Sequence, residues 1–399
     1  MTQDNGIEDV NYVPGKFGFG TNQGGMREAN ERVVLTVLRR NPSITKAEIA
    51  RTTGLSAQTV ARLVGALEED GLVLRGAPNR GRIGQPSIPL SLNPDGAVFL
   101  GLKVGRRSAE MIAIDFLGKV LDREQLLYGY PDFDDVLSFA TGAQTRIQDR
   151  LSPELRRRVS GMGVAMPFHL WNWARHIGVD ASKIRDWQYR DLSAELGAAA
   201  DIPVFVQNDA TAACSAEIVF GTAPVSRNMI SFYIAFFIGG GLVLNNALYL
   251  GATGNAAGLG PFTVADREGA ARNLIDLASL SGLEKRLARA GCDTQKMWTN
   301  SAEWDFPSNI VEAWRDECAH GIASAIKSAQ ALLDLDTVLI DGWLPRDLAT
   351  RITNAVEAEF EKLDRDGIAT PAILCGTIGK DARTVGAASL PLSHRYLNI

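Results

Sequence analysis

The strongest constraint on the fold lies between residues 27 and 92, where signals that start and stop helices follow one another closely. Residues 28–40 carry apolar side chains at helical spacing, and Pro42 ends that helix because proline disfavours helix in the residue before it. Thr45 and Glu48 then have the spacing of a capping box, in which each side chain caps the backbone amide of the other residue. The pattern predicts two helices separated by a short turn.

A third helix and two strands complete this segment. Ser56 can cap the third helix, and Gly71 suits its end because glycine readily adopts left-handed backbone. Apolar residues at 72–74 predict a strand, and alternating apolar residues at 88–92 predict its return partner. Residues 75–86, rich in Gly, Pro and Arg, predict a wing between the two strands. This order of elements is that of a winged helix-turn-helix.

Such a module places one helix in the major groove of DNA, with its early exposed residues facing the bases. Gln and Arg can make bidentate base contacts, and arginines of a wing can neutralise phosphates or enter a minor groove. The sequence leaves open whether each residue contacts a base or a phosphate. A plain three-helix packing unit with exposed polar residues is the alternative. The candidate DNA-contacting residues are Thr45, Ser56, Ala57, Gln58, Thr59, Arg62, Arg80 and Arg82.

The distribution of charge favours DNA binding. Residues 27–92 hold ten Lys or Arg against six Asp or Glu, a net charge of +4, whereas the whole chain carries −5. A basic head on an acidic body confines the attraction for nucleic acid to the head. We therefore expect a double-stranded DNA operator as one partner.

Composition sets outer limits on the class of protein. A chain of 399 residues that is 46% hydrophobic and 22% charged fits an ordinary globular protein of two or three domains. The sequence has neither an apolar run long enough to span a membrane nor an apolar signal core, so we expect a cytoplasmic protein without a membrane partner. Residues 1–26 are rich in Gly and Asn and predict a flexible arm. The four cysteines are far apart and lack the spacing of a zinc site.

Residues 93–399 alternate between strand and helix patterns, beginning with a turn cluster at 93–96. The alternation in two similar halves predicts an α/β body with a cleft between two lobes, at 93–225 and 226–375, and a helix at 376–399 that returns to the first lobe. The predicted strands are 97–104, 108–115, 120–127, 159–166, 202–207, 229–236, 242–244, 247–249, 337–341 and 372–375. The predicted helices are 133–151, 210–220, 270–280, 282–290, 310–333 and 348–363.

Four motifs carry a resemblance to a known family. They are residues 203–210, which contain Asn208-Asp209, the glycine-rich residues 238–245, the Gly-Ala-Thr-Gly run at 251–254, and residues 378–388. With these motifs and this order of elements, the chain resembles the ROK family of repressors, open reading frames and kinases over nearly its whole length. The resemblance implies an actin-like ATPase fold, in which two lobes of sheet and helices surround a sugar site.

The chain departs from the kinases of that family at the phosphate loop. Those kinases carry an Asp followed by Gly-Gly-Thr, whereas this chain has Lys103, Arg106 and Arg107 in the same stretch. Phosphoryl transfer with a metal needs an anionic metal partner and close backbone approach to the phosphates. We therefore expect a protein that is not an enzyme and has no ATP–magnesium cofactor. The two arginines could neutralise an anionic effector or be solvated surface charges.

A second departure concerns zinc and the sugar hydroxyls. The family's usual Glu and His, which contact the sugar, correspond here to Gly258 and Pro261, and residues 262–273 contain no cysteine. The His is also a zinc ligand in the family, and a structural zinc site needs four donors. The sequence therefore predicts no zinc, and an effector other than a plain hexose.

The resemblance and the residue chemistry together select the candidate ligand-binding residues. Asp209 corresponds to the general base of the kinases, but a carboxylate can equally accept hydrogen bonds from ligand hydroxyls, and Asn208-Asp209 can also simply cap a helix. Two aromatic candidates could stack on a sugar or form a local cluster, and two glycines could present amides to an anion or form a tight turn. The candidates are His169, Trp171, Asn208, Asp209, Gly240, Gly241 and Asn255.

Together these features predict a DNA-binding transcriptional regulator, most simply a repressor of carbohydrate-related genes. Its effector would be a sugar, sugar phosphate or polyol in the cleft. Paired DNA half-sites need two reading heads, so we expect a homodimer or homotetramer. The alternative is a sugar kinase with an added DNA-binding head, and Lys103, Arg106 and Arg107 argue against it.

Overall fold

The computed structural model describes residues 23–78, 87–174, 178–224, 226–299 and 303–398. It consists of a small head followed by two lobes, each built around a five-stranded sheet. This arrangement confirms the predicted combination of a winged helix-turn-helix with a two-lobed α/β body. Within the described residues, no helix is long and apolar enough to cross a membrane.

The head has three helices and a small antiparallel sheet in the order β1-β3-β2. Its core is formed by apolar residues that recur at helical spacing, such as Val34, Leu38, Ile49, Val60 and Leu63. The predicted caps are confirmed, since the Thr45 hydroxyl accepts from the Glu48 amide and the Ser56 hydroxyl accepts from the Thr59 amide. The elements are α1 (Gln23–Arg40), β1 (Ile44–Thr45), α2 (Lys46–Thr53), α3 (Ala57–Glu69), β2 (Val73–Arg75) and β3 (Pro89–Leu92).

The head also differs from prediction in two places. Helix α1 begins at Gln23, so residues 23–26 are helical rather than part of the N-terminal arm, whose remaining residues lie outside the described ranges. Strand β1 was not predicted, because a two-residue strand is too short to show alternation. The predicted wing residues Arg80 and Arg82 lie outside the described residues.

The first lobe is a mixed sheet in the order β6-β5-β4-β7-β8, flanked by helices. Strands β4, β5 and β6 form an antiparallel meander, and β7 and β8 continue the sheet in parallel to β4. Its elements are β4 (Val98–Val104), β5 (Ser108–Ile114), β6 (Val120–Leu127), α4 (Phe133–Arg150), α5 (Pro153–Arg157), β7 (Val159–Met166), α6 (Asp186–Tyr189), α7 (Leu192–Ala200), β8 (Val204–Asn208) and α8 (Asp209–Phe220).

The second lobe repeats the same strand order as β11-β10-β9-β14-β15. The C-terminal helix, α14, packs on the sheet of the first lobe. The elements are β9 (Met229–Ile234), β10 (Gly239–Leu244), β11 (Ala247–Tyr249), β12 (Thr263–Ala265), β13 (Ala271–Asn273), α9 (Leu274–Ala278), α10 (Leu280–Arg289), α11 (Lys296–Thr299), α12 (Ser308–Leu333), β14 (Thr337–Gly342), α13 (Arg346–Glu361), β15 (Ala372–Cys375) and α14 (Ala382–Tyr396).

One prediction for the second lobe was wrong, because residues 271–273, predicted within a helix, form β13, which pairs with β12 in a separate two-stranded ribbon. The tight turn considered as one alternative for the glycines is not present, since residues 239–241 are the first residues of β10, in register with β9. Three consecutive glycines suggest a turn from sequence alone, whereas here the neighbouring elements approach so closely that only glycine fits.

Helix α14 packs against the first sheet and against α8 with almost no space between backbones. A Cβ atom on Gly163 of β7 would overlap the carbonyl of Ala387, and one on Gly386 would overlap the carbonyl of Ala212. Glycine is therefore required on both contact surfaces. This close packing makes α14 and α8 one rigid unit with the sheet of the first lobe.

The head is bound to this unit by hydrogen bonds from α1. Arg32 Nε donates to the Leu397 carbonyl at 2.8 Å, and the Asn398 amide donates to Thr36 Oγ1 at 2.9 Å. Arg39 donates to the Phe116 carbonyl and lies between the rings of Phe116 and Phe220, and burial lowers its pKa to about 10. The first and last helices of the chain are thus directly connected.

We predict that Gly163→Ala destabilises the protein by about 2 kcal/mol, because the added methyl forces β7 and α14 apart in a packed core. Chemical denaturation followed by circular dichroism measures the loss in the free energy of unfolding. Gly197→Ala is the matched control, since its Cβ meets nothing closer than 4.0 Å in helix α7. A Gly163→Ala variant as stable as the wild type would contradict the packing described.

Candidate functional site

The cleft between the lobes is bordered by the start of helix α8. Asn208 ends β8 and caps α8, and its Oδ1 accepts from the amides of Ala210 at 3.0 Å and Thr211 at 3.4 Å. Its Nδ2 donates to Asn255 Oδ1 at 3.3 Å. Asn208 therefore caps α8 while it also lines the cleft. Helix capping and ligand contact, the two roles considered from the sequence, are compatible.

Asp209 is the next residue, and its carboxylate forms an ion pair with Arg383. Asp209 Oδ2 lies 3.1 Å from Arg383 Nη1, and both side chains are more than four-fifths buried. The Arg383 guanidinium also lies 5.5 Å from the centre of the Tyr233 ring of the second lobe. Sequence reasoning did not select Arg383, although it lies within the motif at 378–388.

Two buried carboxylates hold the turn that precedes α14. Glu217 of α8 accepts from the Ile378 amide at 2.7 Å, and Asp341 at the end of β14 accepts from the Gly379 amide at 2.7 Å. Burial, together with the nearby Glu217 carboxylate, raises the pKa of Asp341 to about 6. The first lobe supplies Glu217 and the second lobe supplies Asp341, so the two lobes and α14 meet at this turn.

A cavity of about 220 Å³ lies beside the Asp209–Arg383 pair. Its volume suits a ligand smaller than the drug-sized molecules held by larger pockets. Four predicted ligand residues line it, and they are Asn208, Asp209, Gly240 and Asn255. Residues that sequence reasoning did not select line it too, among them Phe168, Tyr233, Phe236, Ile275 and Arg383.

Three predicted ligand residues do not line this cavity. Trp171 packs on the core of the first lobe, and His169 is exposed and makes an edge contact with the Trp171 ring at 5.1 Å between centroids. Gly241 lies against helix α8, where a Cβ would overlap the Cys214 side chain. Trp171 and His169 therefore form a local aromatic cluster, which was the alternative to stacking on a sugar. Phe168 lines the cavity instead.

Lys103 and Arg106 are largely buried, whereas Arg107 is partly exposed. Lys103 is only 5% exposed, and its Nζ lies 3.2 Å from Ser108 Oγ and 3.8 Å from a Glu110 oxygen. Burial, together with the nearby Arg383 charge, lowers the pKa of Lys103 to about 8.

The two arginines after Lys103 cross the cleft to the second lobe. Arg107 donates to Glu284 of α10 at 2.9 Å, and Arg106 lies 3.7 Å from the other oxygen of the same carboxylate. The Arg106 guanidinium also lies 3.9 Å from the centre of the Phe236 ring. The loop that carries Arg106 and Arg107 therefore connects the two lobes.

A second cavity, of about 550 Å³, adjoins the first one. Gly105, Arg106, Phe236 and Arg383 line both. The rest of its lining includes cationic and aromatic side chains, namely Lys103, Arg107, Tyr128, Trp298 and Trp343, together with neutral polar ones such as Gln125 and Gln295. Among the residues described, no group of three or more His, Cys, Asp or Glu side chains is placed to hold a metal ion.

Helix α3 is the second helix of the helix-turn-helix and the one expected to enter the DNA groove, and we call it the recognition helix. Its first turn faces solvent. Ala57, Gln58 and Arg62 are exposed, and within the described part of the chain neither Gln58 nor Arg62 has a side-chain hydrogen bond or ion pair. The Thr59 hydroxyl lies 2.8 Å from that of Ser56, and Thr45 is engaged in its capping box. Gln58 and Arg62 are thus the two long polar side chains available to a partner.

Comparison with known proteins finds a family match for the head and another for the body. The ROK family model matches residues 99–393, and a model of winged helix-turn-helix DNA-binding domains matches residues 27–73. The chain is 25% identical over 243 residues to the xylose repressor of Bacillus spizizenii, across 60% of this chain and 61% of that protein.

Two solved structures share the fold. A ROK family transcriptional regulator homologous to the E. coli MLC protein has a TM-score of 0.66 at 18% identity, over 93% of this chain and 97% of that one. A ROK family glucokinase from Streptomyces griseus, solved with glucose and AMPPNP, has a TM-score of 0.57 at 18% identity, over 74% of this chain and 99% of that one. The regulator shares the head and the body, and the family match covers most of the chain, so the protein belongs to the ROK family.

Proposed function

We propose that the protein is a transcriptional repressor of carbohydrate-related genes, released from its operator when a sugar-like effector binds in the cleft. The winged helix-turn-helix match and the xylose repressor among the relatives support this role. The single observation that carries the proposal is helix α14, which contacts the cavity at one end and the DNA-binding head at the other.

The contacts of α14 give a route from effector to DNA. At its start, Arg383 pairs with Asp209, whose carboxylate is the natural acceptor for ligand hydroxyls. At its end, the Ser393 and Leu397 carbonyls accept from Arg32 of α1. An effector that binds Asp209 competes with Arg383 and changes the angle between the lobes, and α14 moves with the first lobe and carries this shift to α1 and the recognition helix. Such a shift requires the effector to bind one arrangement more tightly than the other.

The same proposal describes a body without catalytic activity and without a resident cofactor. The family includes a glucokinase as well as regulators, so the fold alone does not decide between them. Two side-chain features of the cleft argue against phosphoryl transfer. Lys103 occupies the place of a metal-binding carboxylate, and one oxygen of the Asp209 carboxylate is already engaged by Arg383 and so is not free to accept a proton from a sugar hydroxyl.

The assembly is part of the proposal as well. Two winged helices in a homodimer or homotetramer would read paired half-sites on double-stranded DNA in the cytoplasm. A shift of α14 in each copy would change the angle or spacing of the two heads. The affinity for the operator would fall even if each head kept its own fold.

We predict that Arg62→Ala and Gln58→Ala each weaken operator binding about tenfold or more, because a lost base contact costs about 1–3 kcal/mol. Fluorescence anisotropy on a duplex selected from random sequence by the wild type measures the effect. Arg289→Ala removes an equal charge from the exposed face of α10 and should bind as the wild type does. Unchanged binding by both head variants would refute the assignment of α3.

We also predict that Arg383→Met retains DNA binding but loses most of its response to the effector. The variant breaks the Asp209 pair without touching α1. An effector is first found by a thermal-shift screen of sugars, polyols and sugar phosphates, since a ligand of the native state raises its stability. Arg395→Met, at an exposed position on the same helix, is the control. A full response by Arg383→Met would show that α14 does not transmit the signal.

A third prediction concerns the kinase alternative. Wild-type protein with ATP, magnesium and any sugar found in the screen should release no ADP above the rate without sugar. A coupled assay for ADP measures this, with an authentic sugar kinase as positive control. Sugar-dependent ADP release abolished by Asp209→Asn would favour the kinase instead.

A further inference from the structure

We propose that the cleft is built for an anionic carbohydrate, whose carboxylate or phosphate group is held by Lys103, Arg106 and Arg383 while its hydroxyls contact Asn208 and Asp209. This inference rests on the proposed function only in placing the effector in the cleft. Its first support is the lining of the second cavity. Four of the residues around that space are Lys103, Arg106, Arg107 and Arg383, and none of its described lining residues carries a carboxylate.

The positive charge of Lys103 is only partly balanced. Its nearest carboxylate, Glu110, also accepts from Arg123 at 2.6 Å and from the Thr384 hydroxyl at 2.8 Å. The distance from Lys103 Nζ to Glu110 is 3.8 Å, beyond an ordinary hydrogen bond. Lys103 therefore keeps donor capacity for an anion in the cavity.

The two arginines keep unused donors as well. Among the described residues, Nε and Nη1 of Arg106 and Nε of Arg383 are buried without a hydrogen-bond partner. A buried donor without a partner costs free energy, which an arriving acceptor recovers. A free guanidinium donor makes a strong, charge-assisted hydrogen bond to a carboxylate or phosphate oxygen. Arg106 and Arg383 are among the residues that line both cavities.

The arrangement fits a carbohydrate rather than an isolated anion. The smaller cavity offers Asn208, Asp209 and Asn255, whose oxygens and amides suit hydroxyl groups. It opens into the cationic cavity at Arg106 and Arg383, which line both. A ligand with hydroxyls at one end and an anion at the other fills both spaces. Carboxylate and phosphate share the same chemistry here, so the experiment compares them.

The site should respond to pH through Lys103. The charged groups that face it are Glu110 on β5, Arg123 on β6, Asp209 on α8 and Arg383 on α14, and burial together with Arg383 lowers its pKa to about 8. Below pH 8 the ammonium is charged and binds an anion. As pH rises through about 8 the charge is lost, so affinity for an anion should fall while affinity for a neutral sugar should not.

Calorimetric titration with matched probes tests the inference. Inorganic phosphate, glucuronate and glucose 6-phosphate are compared with glucose, each at pH 7 and pH 9 and low ionic strength. We expect the anions to bind more tightly than glucose, with a preference that falls about tenfold in Lys103→Met. Lys285→Met, at an exposed position on α10, is the control and should keep the preference. Glucuronate against glucose 6-phosphate identifies which anion the site prefers.

Several outcomes would overturn the inference. They are failure of all three anions to bind, equal binding of glucose and the anions, or an anion preference unchanged in both Lys103→Met and Arg106→Met. The wild-type pH profile needs no variant, so misfolding of a variant cannot obscure the result. If neutral sugars release DNA and anions do not bind, the inference fails and the proposed repressor stands. If anions bind without affecting DNA, the anion site stands and the proposed control of DNA binding fails.

Discussion

The ion pair between Asp209 and Arg383 is the interaction on which the organisation of the cleft depends. Asp209 begins α8, Arg383 lies in the first turn of α14, and both side chains are largely buried. Removing one partner of a buried pair leaves the other charge uncompensated, at a cost of about 3–5 kcal/mol. The pair therefore fixes the position of the first turn of α8 relative to the first turn of α14. The two cavities lie beside these two turns.

Arg106 and Arg107 connect the two lobes. Their side chains reach Glu284 and the Phe236 ring across the cleft. The lobes are thereby held together by polar contacts that a ligand with competing charges can replace. A ligand that binds more tightly when these contacts are open would favour an open arrangement of the lobes over the closed one.

Much of the fold could be predicted from sequence, because its signals are local. The capping box at Thr45, the Ser56 cap and the alternation at 120–127 each depend on neighbours in the chain, and the structure has all three. The site was predictable only where a motif coincides with it, as at Asn208 and Asp209. Arg383 and Glu284 could not be found this way, because their partners lie 174 and 177 residues away. His169 and Trp171 were selected as ligand residues but do not line the cavity. The sequence of an aromatic loop does not show which of its side chains face a neighbouring site.

The contact between α1 and the residues at the end of α14 has a consequence for synthesis. Arg32 and Thr36 are made more than 350 residues before their partners Ser393, Leu397 and Asn398. Domains generally fold in order as the chain emerges. The head can therefore fold well before the contacts that orient it on the body exist, and an effector in the cleft can act on the head only after α14 has been made and has packed.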